Sequence, residues 1–185
     1  MLANNMEITV IGDASPLIYF AKLDELTLLS TVLGPIAAPP SVIAETVDAG
    51  KRRHQPDAER IRQAIIDGAV APLQLTKQES SLAQTLHQNT ALGAGECEVI
   101  ICASQRGFKA LLHDKKARSM AMRYDVKTIS VTDVLFLALL RRKISLRSFK
   151  ESLHGLAIIT GLSAATLLEQ EVIADEIARQ LQIKE

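Results

Sequence analysis

The chain has 185 residues, of which 48% are apolar and 23% charged, enough for one domain-sized core and unlike a disordered chain. Its formal net charge is zero and its pI about 6.9, so the surface as a whole does not attract nucleic acid, and any such binding must use local Lys and Arg patches. Aromatic residues make up 3% and Trp is absent, which disfavours a binder that stacks bases on aromatic platforms.

Cys97 and Cys102 fall on different faces of one predicted helix, so no disulfide between them is expected and both read as small buried residues of a reducing compartment. The first residues are polar, and the apolar run after them is too short for a secretory signal. No run of about eighteen apolar residues occurs, so no membrane span is expected and a cytoplasmic location follows.

In chain order, residues 8–11 read as a buried strand that ends at Gly12 and Asp13. Pro16 suits a first helical turn, with Ser15 or Asp13 able to cap it. Helices are expected over 17–23 and 26–33, stopped by Gly34-Pro35, and a short strand over 36–38. Pro40 or Ser41 opens the next helix, whose apolar side carries Val42, Ile43 and Val47 with Glu45 set among them. Residues 48–56 form a loop and the most basic short stretch, with Lys51, Arg52 and Arg53.

A helix follows over 57–67. Pro72 makes 70–75 an edge strand, because a central strand needs every N–H. Thr76 caps a helix over 78–87, and 89–95 is a loop. The helix over 96–106 ends at Gly107; a strand over 110–113 stops at Asp114, and a helix runs on to 123. A strand over 127–131 leads to Thr132 and Asp133, which start an apolar helix over 134–140. Helices with a break at 155–161 complete the chain. Short buried strands alternating with helices predict an α/β fold with a mostly parallel sheet flanked by helices. Residues 1–143 are the expected main domain. Residues 144–185 are a helical appendage packing on it or on a dimer mate.

Four carboxylates share a kind of position. Asp13 and Asp114 each follow a strand, and in a parallel sheet those ends lie on one edge, where ligands bind. Glu45 and Glu96 sit on helices that crossovers can bring to the same edge. Clustered carboxylates ionise together only beside a hard cation, for which Mg²⁺ or Mn²⁺ with oxygen ligands is suited. Such centres commonly hydrolyse phosphodiesters.

Gly12-Asp-Ala-Ser-Pro-Leu-Ile18, Pro39-Pro-Ser-Val-Ile-Ala-Glu-Thr-Val47, Gly95-Glu-Cys-Glu-Val-Ile100 and Leu111-Leu-His-Asp-Lys-Lys-Ala-Arg118 resemble the successive motifs of PIN-domain proteins. The likeness is to the stand-alone bacterial branch related to VapC-type toxins, and spans roughly residues 6–140. It implies a Rossmann-like sheet and a magnesium-dependent ribonuclease that leaves 3′-hydroxyl and 5′-phosphate ends. It also implies a homodimer and an antitoxin protein that covers the site. By position, Asp13, Glu45, Glu96 and Asp114 match the family's acids, and Asp13, Glu96 and Asp114 are the expected metal ligands. Ser15 matches the residue that supports the first acid. Relatives tend to pair acids near Asp114, where this chain has His113 and Lys115. They also tend to carry an acid where it has Gly93.

Lys115, Lys116 and Arg118 are the expected substrate contacts, Arg118 first because a guanidinium grips phosphate bidentately. Glu98, two residues past Glu96, is expected to point away from the site. Asp133 reads as a cap and His113 as a strand-end residue. Beside the ribonuclease stand a PIN fold with a weakened site acting as a binding module, an oligomeric scaffold that the helical tail and apolar stripe allow, and a haloacid-dehalogenase-like phosphatase. The phosphatase wants another Asp two residues after the first, where Ser15 stands, and no Gly-rich phosphate loop is present.

Overall fold

The computed structural model describes residues 8–49 and 55–182. They fall into two compact units that divide between Ser130 and Val131. The division thus precedes the apolar helix that sequence patterning kept with the sheet.

Among the described residues the first unit holds five strands: β1 (Val10–Gly12), β2 (Ile36–Ala38), β3 (Val70–Pro72), β4 (Lys109–Leu111) and β5 (Thr128–Ile129). All pair in parallel in the order β3-β2-β1-β4-β5. The α/β class with a parallel sheet is therefore as the sequence predicts. Pro72 lies on edge strand β3, the place where a missing N–H is tolerated. The middle strands are short and apolar because helices cover both faces; Ile11, Ile36, Ala37 and Leu111 have no exposed surface. Gly12 continues this logic. A Cβ there would lie 2.7 Å from Ile36 Cγ2, so only glycine lets β1 and β2 close up.

The connections are helical. Between β1 and β2 run α1 (Ala14–Lys22) and α2 (Leu26–Leu33). Between β2 and β3 come α3 (Pro40–Ile43), which continues as a π-helical segment over Ala44–Ala49, and α4 (Pro56–Ile66). The pair α5 (Lys77–Asn89) and α6 (Ala94–Arg106) lead to β4, and α7 (Lys115–Arg123) leads to β5. Thr76 caps α5 as expected: its Oγ1 accepts from the Glu79 amide at 3.1 Å, and Glu79 accepts from the Thr76 amide at 2.7 Å. Glu79 also receives two hydrogen bonds from Arg106, at 2.7 and 2.8 Å, which pin α5 to α6 and hold its pKa down to about 2. Cys97 and Cys102 are buried free thiols on α6.

The second unit is helical: α8 (Val131–Leu140), α9 (Leu146–Thr160) and α10 (Ala164–Leu181). Ser145 and Ser163 cap α9 and α10 through their hydroxyls. Lys150–Asp175 and His154–Glu171 contacts, each 2.7 Å, tie these two helices together. Among the described residues, no helix is long and apolar enough to cross a membrane.

Three expectations are corrected. The strand predicted over 127–131 is only Thr128–Ile129, and Val131 already begins a helix. The break predicted over 155–161 narrows to Gly161, whose φ of 70° ends α9, while Gly155 lies within that helix. The helix carrying Glu45 is not a regular amphipathic one. It widens to π geometry, and Glu45 is exposed rather than set into an apolar face. The basic residues Lys51, Arg52 and Arg53 lie outside the described residues.

Candidate active site

Strand order reverses between β1 and β4: the chain winds outward through β2 and β3 on one side and through β4 and β5 on the other. Ligands bind in the crevice at such a point, outside the strands' carboxyl ends. Asp13 follows β1, and Asp114 follows β4 closely, so the two flank this crevice.

Asp13 is the buried member, with 5% of its surface exposed. Its backbone N–H donates to Leu111 O at 3.1 Å, extending the β1–β4 ladder to the acid itself. The residue occupies the N-cap of α1, yet its side chain makes no capping hydrogen bond. A plain cap therefore does not account for it. Burial pushes its pKa up to about 7, and the carboxylates of Glu96 and Glu45 add to the rise. The Ala14 and Ser15 amides pull the other way, near enough to act but outside capping geometry. The Ser15 contribution is that of its backbone amide, not of its hydroxyl.

Glycine brings the second acid in. A Cβ on Gly95 would lie 3.2 Å from Val42 Cγ2 and 3.6 Å from Asp13 Oδ1, so the first turn of α6 passes close against both Asp13 and α3. Glu96 follows at once. It is half-buried, and its Oε2 accepts from the Gly93 amide at 2.8 Å. Burial raises its pKa despite that bond, and Asp114 and Glu45 raise it further.

Asp114 is exposed at the N-cap of α7, where its Oδ1 accepts from the Lys116 and Ala117 amides at 2.7 and 2.9 Å. Glu96 and Asp114 thus each spend one oxygen on a helix N-terminus. The other oxygen makes no hydrogen bond among the described residues. Glu45 is exposed on the π-helical segment and reaches the others only through its charge.

Glu98 is held elsewhere, as expected. Its two oxygens accept from the Ser41 amide at 2.9 Å and the Ser41 hydroxyl at 2.6 Å, capping α3 and fastening it to α6. His113 is half-buried, with its ring edge-on to Tyr19 at 5.1 Å and 87°. Burial and then Arg118 lower its pKa. Asp133 stands in the first turn of α8, in the second unit. Lys115 and Lys116 are exposed and Arg118 half-buried. Sequence reasoning missed Gly95 and the Ser41–Glu98 bridge. The run of small residues at 93–95 was the available signal for a close approach.

The donor set is all carboxylate oxygen; Asp13 and Glu96 are each raised first by burial and then by neighbouring acids, a repulsion that a hard cation would relieve. By donor chemistry the residues fit a divalent metal. As the side chains stand, no three Asp, Glu, His or Cys residues among those described close around one ion.

An acid-lined crevice at the switch point of an all-parallel sheet is consistent with a PIN fold. Residues 9–173 match the model of the family DUF3368, described as PIN domain, and the chain belongs to this PIN-domain family. Its members are generally nucleases and usually use divalent metal ions. A comparison with curated proteins returned no match.

Proposed function

We propose that the protein is a metal-dependent endoribonuclease, the toxin of a toxin–antitoxin pair. The observation that carries the nuclease is Asp13: a buried carboxyl at the carboxyl edge of the central strand, not used as a cap, and raised to about 7 with two further acids contributing. Asp13, Glu96 and Asp114 would hold Mg²⁺ or Mn²⁺, with Glu45 completing the ring directly or through water. The cation supplies the positive charge that lets these acids ionise together and the Lewis acidity that phosphodiester hydrolysis draws on.

The chain's own residues then have separate tasks. Asp13 is anchored by the Leu111 carbonyl and cannot drift from the sheet edge. Glu96 and Asp114 are oriented by the amides that each accepts, which leaves the second oxygen of each for the cation. Lys115 and Lys116, exposed beside Asp114, supply positive charge for the phosphates of the bound strand. RNA as the substrate, a covering antitoxin, a homodimer and a cytoplasmic setting are carried by the likeness of the four motifs to the toxin branch.

A second reading is a PIN fold with a weakened site that binds without cutting. His113 beside Asp114, packed on Tyr19 where a second acid would stand, favours it. One experiment separates them. A mixed pool of structured RNAs is incubated with Mn²⁺ or Mg²⁺ and wild type or Asp13→Asn. Cleavage by the wild type alone, abolished by chelator, is expected. No cleavage, with no stoichiometric Mn²⁺ uptake by calorimetry, would establish the second reading.

A further inference from the structure

A shallow groove of about 540 Å³ opens beside the acids, lined by Asp114, Lys115, Lys116, Ser119, Met120 and Arg123. It runs along α7, whose nine residues include four cations and no acid. At 3.6 residues per turn, Lys116, Ser119, Met120 and Arg123 share one face, above the buried Ala117 and Ala121. Arg118 lies on the opposite flank, towards His113. Lys116, Ser119 and Arg123 are exposed and Met120 half-buried. Among the described residues, neither Lys116 nor Arg123 has a carboxylate at ion-pair distance, whereas Arg62, Arg106, Arg147 and Arg179 all do.

In a chain of zero net charge, an unpaired cationic face leading away from a catalytic acid calls for an anionic occupant. Its length narrows the choice. From Lys116 to Arg123 the helix rises about 10 Å, the reach of about three stacked nucleotides at roughly 3.4 Å each. Cations stand at both ends, with a hydroxyl and an apolar thioether between them, which suits a strand offering phosphate, sugar and base face in turn.

We propose that this groove is the track for the single-stranded RNA on one side of the cut, with Lys116 and Arg123 on its phosphates and Met120 beneath a sugar or base. The proposal rests on the ribonuclease reading and adds Ser119, Met120 and Arg123 to it. It also moves the phosphate grip from Arg118 to Arg123. Arg123 stands in the last turn of α7, where a cation also complements the helix dipole. The test must therefore read phosphate contacts rather than stability.

Binding of a fluorescein-labelled mixed-sequence 12-mer RNA is followed by anisotropy across a salt series, on the non-cutting Asp13→Asn background. Each lost phosphate contact lowers the slope of log affinity against log salt by about 0.7 for a single strand. Lys116→Ser and Arg123→Ser are expected to lower it by about that much each, and the pair by about 1.4. Lys109→Ser, at the amino end of β4 on the opposite sheet edge, removes the same charge and should leave the slope unchanged. Unchanged slopes for Lys116 and Arg123, an equal fall for Lys109, or no RNA binding would overturn the track. Wild-type cleavage with Mn²⁺, measured in parallel, distinguishes the failures. Asp13-dependent cutting with unchanged slopes removes the track and leaves the nuclease. Falling slopes without cutting support the track and remove the nuclease.

Discussion

The Asp13 amide donates to the Leu111 carbonyl at 3.1 Å, so the first acid of the site is part of the same ladder as the strand that leads to Asp114. The two acids that flank the crevice are coupled by backbone, independently of any ligand. The sheet sets the backbone positions from which they project, and what remains adjustable is the ionisation of Asp13.

That ionisation makes stability depend on pH. Burial raises the Asp13 carboxyl from its ordinary 3.8 to about 7 in the fold. A raised acid stabilises the fold fully below its unfolded pKa, and the contribution is lost as pH rises through the folded value. In EDTA, this group should make the wild type lose stability between about pH 4 and pH 7, by at most about 4 kcal/mol. Asp13→Asn should remove that part of the slope and melt higher than the wild type at pH 8. Thermal melts of both proteins from pH 5 to 8 check this.

The same proton competes with a cation. Mn²⁺ should bind more weakly at pH 6 than at pH 8, with up to about tenfold loss per unit for the one proton on Asp13. Calorimetry in buffers of different ionisation enthalpy should show proton release on binding below pH 7. A pH-independent affinity would mean that Asp13 is not a ligand.

Glu96 and Glu98 are neighbours in sequence with different tasks, and substitution should separate them. Glu96→Gln removes an acid from the crevice and should weaken Mn²⁺ binding at least about tenfold, with little change in melting. Glu98→Ala removes the cap on Ser41 and should cost about 1–2 kcal/mol of stability while leaving Mn²⁺ affinity within about twofold. Urea unfolding and Mn²⁺ titration of both variants read the two effects independently.

Gly12→Ala tests the close approach of β1 and β2. The added methyl would stand 2.7 Å from Ile36 Cγ2, between two strands that cannot part without breaking the Ile11–Ala37 register. The expected cost is about 1–3 kcal/mol, read as a lower urea midpoint at unchanged slope.

Much of this arrangement is local chemistry and was legible in the chain. The edge role of Pro72, the Thr76 cap, the stop at Gly107 and the placing of acids after two parallel strands follow from hydrogen-bonding capacity, side-chain period and crossover handedness. The four motifs in order gave the PIN fold. Where two segments distant in sequence meet, local rules fall silent. The first turn of α6 arrives beside Asp13, and burial among such distant segments turns a helix-cap position into a carboxyl raised to about 7. Glu98 became a cap because Ser41 is brought against it, and Glu45 is exposed on a segment of π geometry. The sequence by itself determined which acids share the carboxyl edge. The tertiary structure decided which of them is desolvated, because desolvation is a property of neighbours from other parts of the chain.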